Sequence, residues 1–193
     1  MIISFLASHG GSSARHIIAA IRAGRLDAEP GILISNNRDA PILDWCQDNS
    51  IASMHISSLS RGSESAADRA IAAALSEAGS DLVVCSGYMK KIGPETLRLY
   101  PYRILNIHPA LLPAHGGKGM YGDHVHRAVL QAGETESGAT VHYVTDGIDE
   151  GPIIKQHIVP VMPDDTLETL RSRVQACEPE LYLSALTELF QDD

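Results

Sequence analysis

Three short stretches carry side chains whose types and spacing could do chemistry. The first is Asn106-Ile107-His108-Pro109. On a β-strand, residues two apart project from one face, so the carboxamide of Asn106 and the imidazole of His108 would stand together. An amide donor beside an imidazole can hold a developing oxyanion and move a proton. The second is Thr145-Asp146-Gly147-Ile148-Asp149-Glu150-Gly151-Pro152, with two carboxylates three residues apart in a glycine-bounded segment. A buried carboxylate would favour a neighbouring imidazolium. D-G and E-G-P are also ordinary turn chemistry, and spacing alone does not choose between Asp146 and Asp149. The third is Gly10-Gly11-Ser12-Ser13, between an apolar run and a helix. Glycines let a ligand approach the backbone, and the free N–H groups of a helix N-terminus suit a phosphate. The stretch is neither a dinucleotide fingerprint nor a P-loop, because no G-K-[ST] follows.

A fourth group is rich in potential metal ligands: His108, His115, His124, His126 and His142, with Asp123. The D-H-V-H segment lacks an i,i+4 histidine pair and no H-E-x-x-H occurs, so no metal site is expected. Cys46, Cys85 and Cys177 are odd in number and far apart, and they frame neither a disulfide nor a metal pair. Such cysteine usage fits a reducing compartment, and a cytoplasmic location is expected.

Elements must bring these stretches to one place. Residues 2–7 (I-I-S-F-L-A), 31–35 and 81–86 (D-L-V-V-C-S) read as buried strands, and 51–56 as a weak one. Helices are predicted over 14–23, 41–49, with Ile42, Leu43 and Cys46 on one face, and 64–78, with Ile71 and Leu75 at helical spacing. Strand alternating with helix implies right-handed crossovers and a doubly wound, mostly parallel sheet with helices on both faces, a Rossmann-like α/β class. A strand over 103–107 leads into N-I-H-P, where an open α/β sheet places its ligands. Residues 109–123 read as a long glycine-containing loop and 124–132 as a helix. Strands at 139–145 and 152–159 are expected to pair as antiparallel neighbours toward the C-terminal part. Residues 166–190 read as a long amphipathic helix, capped by Thr166 and kinked or split at Pro179.

The 193 residues suit a single domain, 1–193, with 44% apolar and 20% charged residues. A net charge of −9 argues against a broad basic surface for nucleic acid. The N-terminal apolar run is too short for a signal peptide, and no run approaches the ~18 residues of a membrane span. Small molecules are the expected partners, with a monomer or homodimer as the working form.

Taken in order, the blocks G-G-S-S, Ser86-Gly87-Tyr88-Met89, I-L-N-I-H-P-A-L-L-P over residues 104–113, and Thr145 to Pro152 resemble the folate-dependent formyltransferases. Within these the glycine-serine loop favours the glycinamide ribonucleotide branch. The likeness runs from residue 1 to about 180. It implies formyl transfer from 10-formyltetrahydrofolate to the amine of glycinamide ribonucleotide in purine biosynthesis, with no metal; the alternatives are transfer to another amine, such as that of an aminosugar nucleotide, and a non-catalytic relative. The N-terminal half would be a phosphate-binding βαβ unit, and the C-terminal half the folate pocket and catalytic loop. By resemblance, Asn106, His108 and Asp149 are the catalytic trio, and Gly11, Ser12 and Ser13 hold the substrate phosphate. Glu178 binds its ribose. Met89, Lys90, Ile92, Asn106, Thr145, Asp146 and Asp149 line the folate site. Ser13 stands where the family usually has asparagine, and the G-G-K-G-M-Y-G loop at 116–122 is longer than in many members.

Overall fold

A computed structural model describes residues 1–191. The chain forms two compact units, one from Met1 to Leu105 and one beginning at Asn106. The sheet order is β3-β2-β1-β4-β5-β6-β7.

The first unit alternates strand and helix: β1 (Ile2–Ala7), α1 (Ser12–Arg22), β2 (Glu29–Ser35), α2 (Pro41–Asp48), β3 (Ser53–His55), α3 (Ser58–Arg61), α4 (Glu64–Glu77), β4 (Leu82–Cys85) and α5 (Pro94–Leu99). β1 pairs in parallel with both β2 and β4, and β2 with β3. β1 and β4 are buried almost throughout, which is why they read as unbroken apolar runs rather than alternating ones. α1 buries Ala14, Ile17 and Ile18, the one-sided spacing of an amphipathic helix. Two short helices escape the sequence reading. α3 is four residues long, held by a Ser57/Ser60 capping box. α5 is six residues long and starts at Gly93-Pro94, where proline at the first turn costs nothing. The side chain of Asp68 on α4 caps α5 by accepting from the amides of Glu95 and Thr96, at 2.8 and 3.1 Å.

β5 (Ile104–His108) carries the N-I-H segment. Beyond it the second unit comprises α6 (Asp123–Ala132), β6 (Glu136–Tyr143), β7 (Ile153–Pro160) and α7 (Leu167–Leu189). β6 and β7 pair antiparallel, as expected. β6 begins three residues earlier than its sequence suggests. Glu136-Ser137-Gly138 has poor strand propensity, and pairing overrides it. At Gly138 a Cβ would sit 2.0 Å from the His157 carbonyl oxygen, so only glycine fits the ladder there. α7 is one helix through Pro179, rather than split, with Thr166 as its cap. The bond that Pro179 cannot make belongs to the carbonyl of Gln175, an exposed position where water can replace it.

Candidate active site

β5 ends with Asn106 half-buried and His108 buried. The ring of His108 is held from both sides. Its Nε2 lies 2.8 Å from the backbone oxygen of His115. Its Nδ1 lies 3.4 Å from Oδ2 of Asp149. A carbonyl and a carboxylate both only accept, so both ring nitrogens are satisfied together only when each carries a proton. The arrangement has room for an imidazolium beside a carboxylate.

Asp149 reaches His108 through an unusual backbone. Its φ is 58°, in the left-handed region. Aspartate is one of the few side chains that tolerates this region. Gly151 follows with no room for a Cβ, which would lie 1.8 Å from the Tyr143 carbonyl oxygen. The turn that aims Asp149 inward is therefore built by the E-G-P corner. Asp146, three residues earlier, is exposed, and Thr145 is half-buried.

The loop between Pro109 and Gly122 closes the cluster. The Gly117 amide donates to Oδ2 of Asp149 at 3.0 Å. A Cβ on Gly116 would lie 2.5 Å from Leu112 and 3.4 Å from the Cβ of Asp149. His115, with φ 54°, turns its carbonyl toward His108. The glycines of this loop thus let backbone groups serve the His108 and Asp149 side chains.

Asn106 does not bond His108. Its Nδ2 lies 3.2 Å from Nε2 of His142, on β6. Nδ1 of His142 lies 2.9 Å from the Tyr143 carbonyl oxygen, and Nε2 lies 3.6 Å from Oδ1 of Asp149. Burial pushes the His142 pKa below its ordinary value. His142 was legible only as one histidine of a dispersed set. His126 is also buried, with Nδ1 unpartnered, and burial lowers its pKa as well. Among the described residues no group of three His, Cys, Asp or Glu is placed to hold a metal ion.

Glu178 lies on α7, and burial pushes its carboxyl up to about 7. No opposing cause of that shift is present. Burial of this kind favours the protonated form of the carboxyl.

In the first unit, Gly11 is the N-cap of α1 with φ 59°, and Ser12 and Ser13 are its first two residues. Ser12 is exposed and Ser13 buried, and neither serine caps the helix with its side chain. The first amides of the helix have no acceptor within it. A Cβ at Gly11 would lie 2.9 Å from Ile42, so the turn is closed to other residues both by its φ and by packing. Ser8 donates to Asn36 and accepts from the Met89 amide at 2.7 Å, which fixes the start of the Met89–Ile92 segment. Met89 itself is half exposed. A cavity of about 370 Å³ opens beside this segment, lined by Tyr88, Lys90, Lys91 and Ile92 together with Ile56 and Ile71. Burial, then the neighbouring Cys85, Glu64 and Asp68, keeps the Tyr88 phenol protonated.

Fold and cluster together define an α/β protein with an amide–imidazole–carboxylate site at the carboxyl end of a sheet strand. The chain belongs to the formyl transferase family, whose sequence pattern matches residues 1–186. It is 37% identical to the chloroplastic phosphoribosylglycinamide formyltransferase of Arabidopsis thaliana, over 95% of this chain and 63% of that protein. The chain therefore spans less than two thirds of that plant relative. It is 35% identical to phosphoribosylglycinamide formyltransferase of Escherichia coli, over 94% of this chain and 84% of that one. The crystal structure of glycinamide ribonucleotide transformylase 1 from Symbiobacterium toebii superposes with a TM-score of 0.90 at 38% identity, covering 96% of this chain and 85% of that one. No helix among the described residues is long and apolar enough to cross a membrane.

Proposed function

We propose that the protein transfers the formyl group of 10-formyltetrahydrofolate to the amine of glycinamide ribonucleotide, a step of purine biosynthesis. The observation that carries this reading is the His108–Asp149 pair, with an acceptor on each nitrogen of the imidazole. Relatives bearing that activity in their names support the choice of substrates.

The substrate amine attacks the formyl carbon, and the carbonyl oxygen becomes an oxyanion. The oxyanion takes over the Nε2–H of His108 from the His115 carbonyl and accepts a second bond from the Asn106 amide. Such donors are worth far more in a water-poor site than in bulk. Asp149 stabilises the imidazolium and relays a proton. The attacking nitrogen loses a proton, N10 of the folate gains one, and the carbon–N10 bond breaks. No covalent enzyme intermediate is needed.

The remaining roles follow from local chemistry. The amides of Gly11, Ser12 and Ser13 take the phosphate, and Glu178 accepts from the ribose hydroxyls. Ser13 acts through its backbone, so the departure from asparagine leaves this contact in place. Met89, Lys90, Ile92, Thr145 and Asp146 line the folate site, with the lysines available to the acidic tail of the cofactor. The partners are small molecules, and the protein works as a monomer or homodimer in the cytoplasm.

The test is turnover of 10-formyltetrahydrofolate by the purified protein with glycinamide ribonucleotide, with aminosugar nucleotides, and with no amine. Release of tetrahydrofolate only with the first supports the reading. Preference for an aminosugar nucleotide, or equal release without an amine, overturns it.

A further inference from the structure

We propose that His142 is a positioning residue whose unprotonated Nε2 fixes the nitrogen end of the Asn106 carboxamide, and so decides which edge of that amide meets the formyl oxygen. The inference rests on the formyl-transfer reading for its catalytic consequence. The geometry stands apart from it.

The two ends of a carboxamide are nearly equal in size, so packing alone does not choose between its two orientations. Hydrogen bonding does. An oxyanion needs the nitrogen end as donor, and a flipped Asn106 would present a repelling oxygen. The partner that sets the choice is Nε2 of His142, 3.2 Å from Asn106 Nδ2.

The state of that nitrogen follows from the other side of the ring. Nδ1 lies 2.9 Å from the Tyr143 carbonyl oxygen, which can only accept, so Nδ1 carries the proton. The ring is 2% exposed. Burial is the strongest influence on it and favours the neutral form. A neutral ring protonated at Nδ1 has a lone pair at Nε2, and Asn106 must turn an N–H toward it. The amide keeps a second N–H for the substrate.

The charged and titratable groups that face His142 are Asp149 and His108. Oδ1 of Asp149 lies 3.6 Å from Nε2. A protonated His142 would donate to that carboxylate, compete with His108 for its charge, and present the amide of Asn106 with a donor. The neutral ring avoids all three effects. It gives Asp149 no proton and leaves its charge for His108.

Two measurements test this. Long-range proton–nitrogen correlation NMR on the full chain reads the tautomer of His142 directly. The expected result between pH 7 and 8 is a neutral ring with Nδ1 protonated and Nε2 bare. A ring protonated at Nε2 in that range overturns the proposal. This readout needs no turnover, so it decides the inference even for a chain that transfers no formyl group, and the two failures are told apart. The second measurement is a double-mutant cycle on formyl transfer. His142→Met should lower kcat by ~10- to 100-fold with little change in either KM, on the scale of a lost oxyanion donor. His142→Gln, whose side-chain oxygen can accept from Asn106, should recover most of that loss. In an Asn106→Ala background His142→Met should cost under ~2-fold, because the two residues act as one unit. Independent, multiplying losses overturn the proposal.

Discussion

Oδ2 of Asp149 sits 3.4 Å from Nδ1 of His108 because the backbone at Asp149 turns through the left-handed region, at φ 58°. Asparagine tolerates that region as well as aspartate does, so Asp149→Asn keeps the turn and removes only the charge. We expect kcat to fall by at least ~100-fold, the scale of a lost acid–base partner, with KM values little changed. Asp146→Asn, at an exposed position, should cost under ~3-fold by the same scale. Steady-state kinetics of the two variants decide this. Activity surviving at 149 and lost at 146 would reverse the assignment.

Gly11 tests the proposed phosphate loop. Gly11→Ala places a Cβ in a left-handed position and within 2.9 Å of Ile42, so it should lower stability by ~1 kcal/mol or more. The displaced amides should raise KM for the phosphorylated amine by ~10-fold, about one lost hydrogen bond to a charged group. KM for the folate should stay within ~2-fold. A thermal melt and separate saturation curves for the two substrates supply the check. Equal rises in both KM values would show that the loop does not bind the phosphate.

Much of this molecule is legible in its sequence, and the exceptions have physical causes. The strands β1 and β4 announce themselves because burial on both faces demands unbroken apolar runs. The N-I-H segment is visible because strand alternation puts Asn106 and His108 on one face. What stays hidden depends on tertiary contact. α5 is only six residues long, and its cap comes from Asp68 on α4 rather than from a neighbour in sequence. β6 starts early because pairing with β7 outweighs the poor propensity of Glu136, Ser137 and Gly138. The role of the 109–122 loop lies in its backbone, at the His115 carbonyl and the Gly117 amide, and no side-chain type encodes it. His142 was one of several histidines until its two ring nitrogens had partners.

Asp68 offers a stability test away from the chemistry. Its carboxylate accepts from two backbone amides at the start of α5 and from the Thr96 hydroxyl at 2.6 Å. Gly93 packs against it so closely that a Cβ there would lie 2.2 Å from the carboxyl carbon. Asp68→Ala leaves buried donors unsatisfied and should cost ~2–3 kcal/mol in urea unfolding. Asp68→Asn keeps the shape and one acceptor, and should cost about half as much by the same reasoning. Because α5 follows directly on the Met89–Ile92 segment, Asp68→Ala should also raise the folate KM while the KM of the phosphorylated amine holds. A loss below ~0.5 kcal/mol, the range of an ordinary surface change, would mean that α5 is held by something else.

Under the proposed function, Glu178 would link binding of the amine substrate to pH. Burial raises its pKa from 4.5 to about 7, so the folded chain holds a proton that the unfolded chain has already released across that window. Stability from this group is therefore greatest below pH 4.5 and falls as the pH rises toward 7, levelling off above it. Glu178→Gln keeps the shape and cannot ionise. Without ligand at pH 8 it should be more stable than the wild type by up to ~3 kcal/mol, and the difference should vanish near pH 4. Binding should run the other way. Ribose hydroxyls donate to an ionised carboxylate, so the amine substrate should bind more tightly as the pH rises through 7 and should release a proton as it binds. Calorimetry in buffers of differing ionisation heat reads that proton directly. Glu178→Gln should abolish the release and raise KM for the amine substrate by ~10-fold, the scale of a lost hydrogen bond to a charged group. If the variant binds the amine substrate as the wild type does, with the same proton count, the ribose assignment fails even though the stability effect remains.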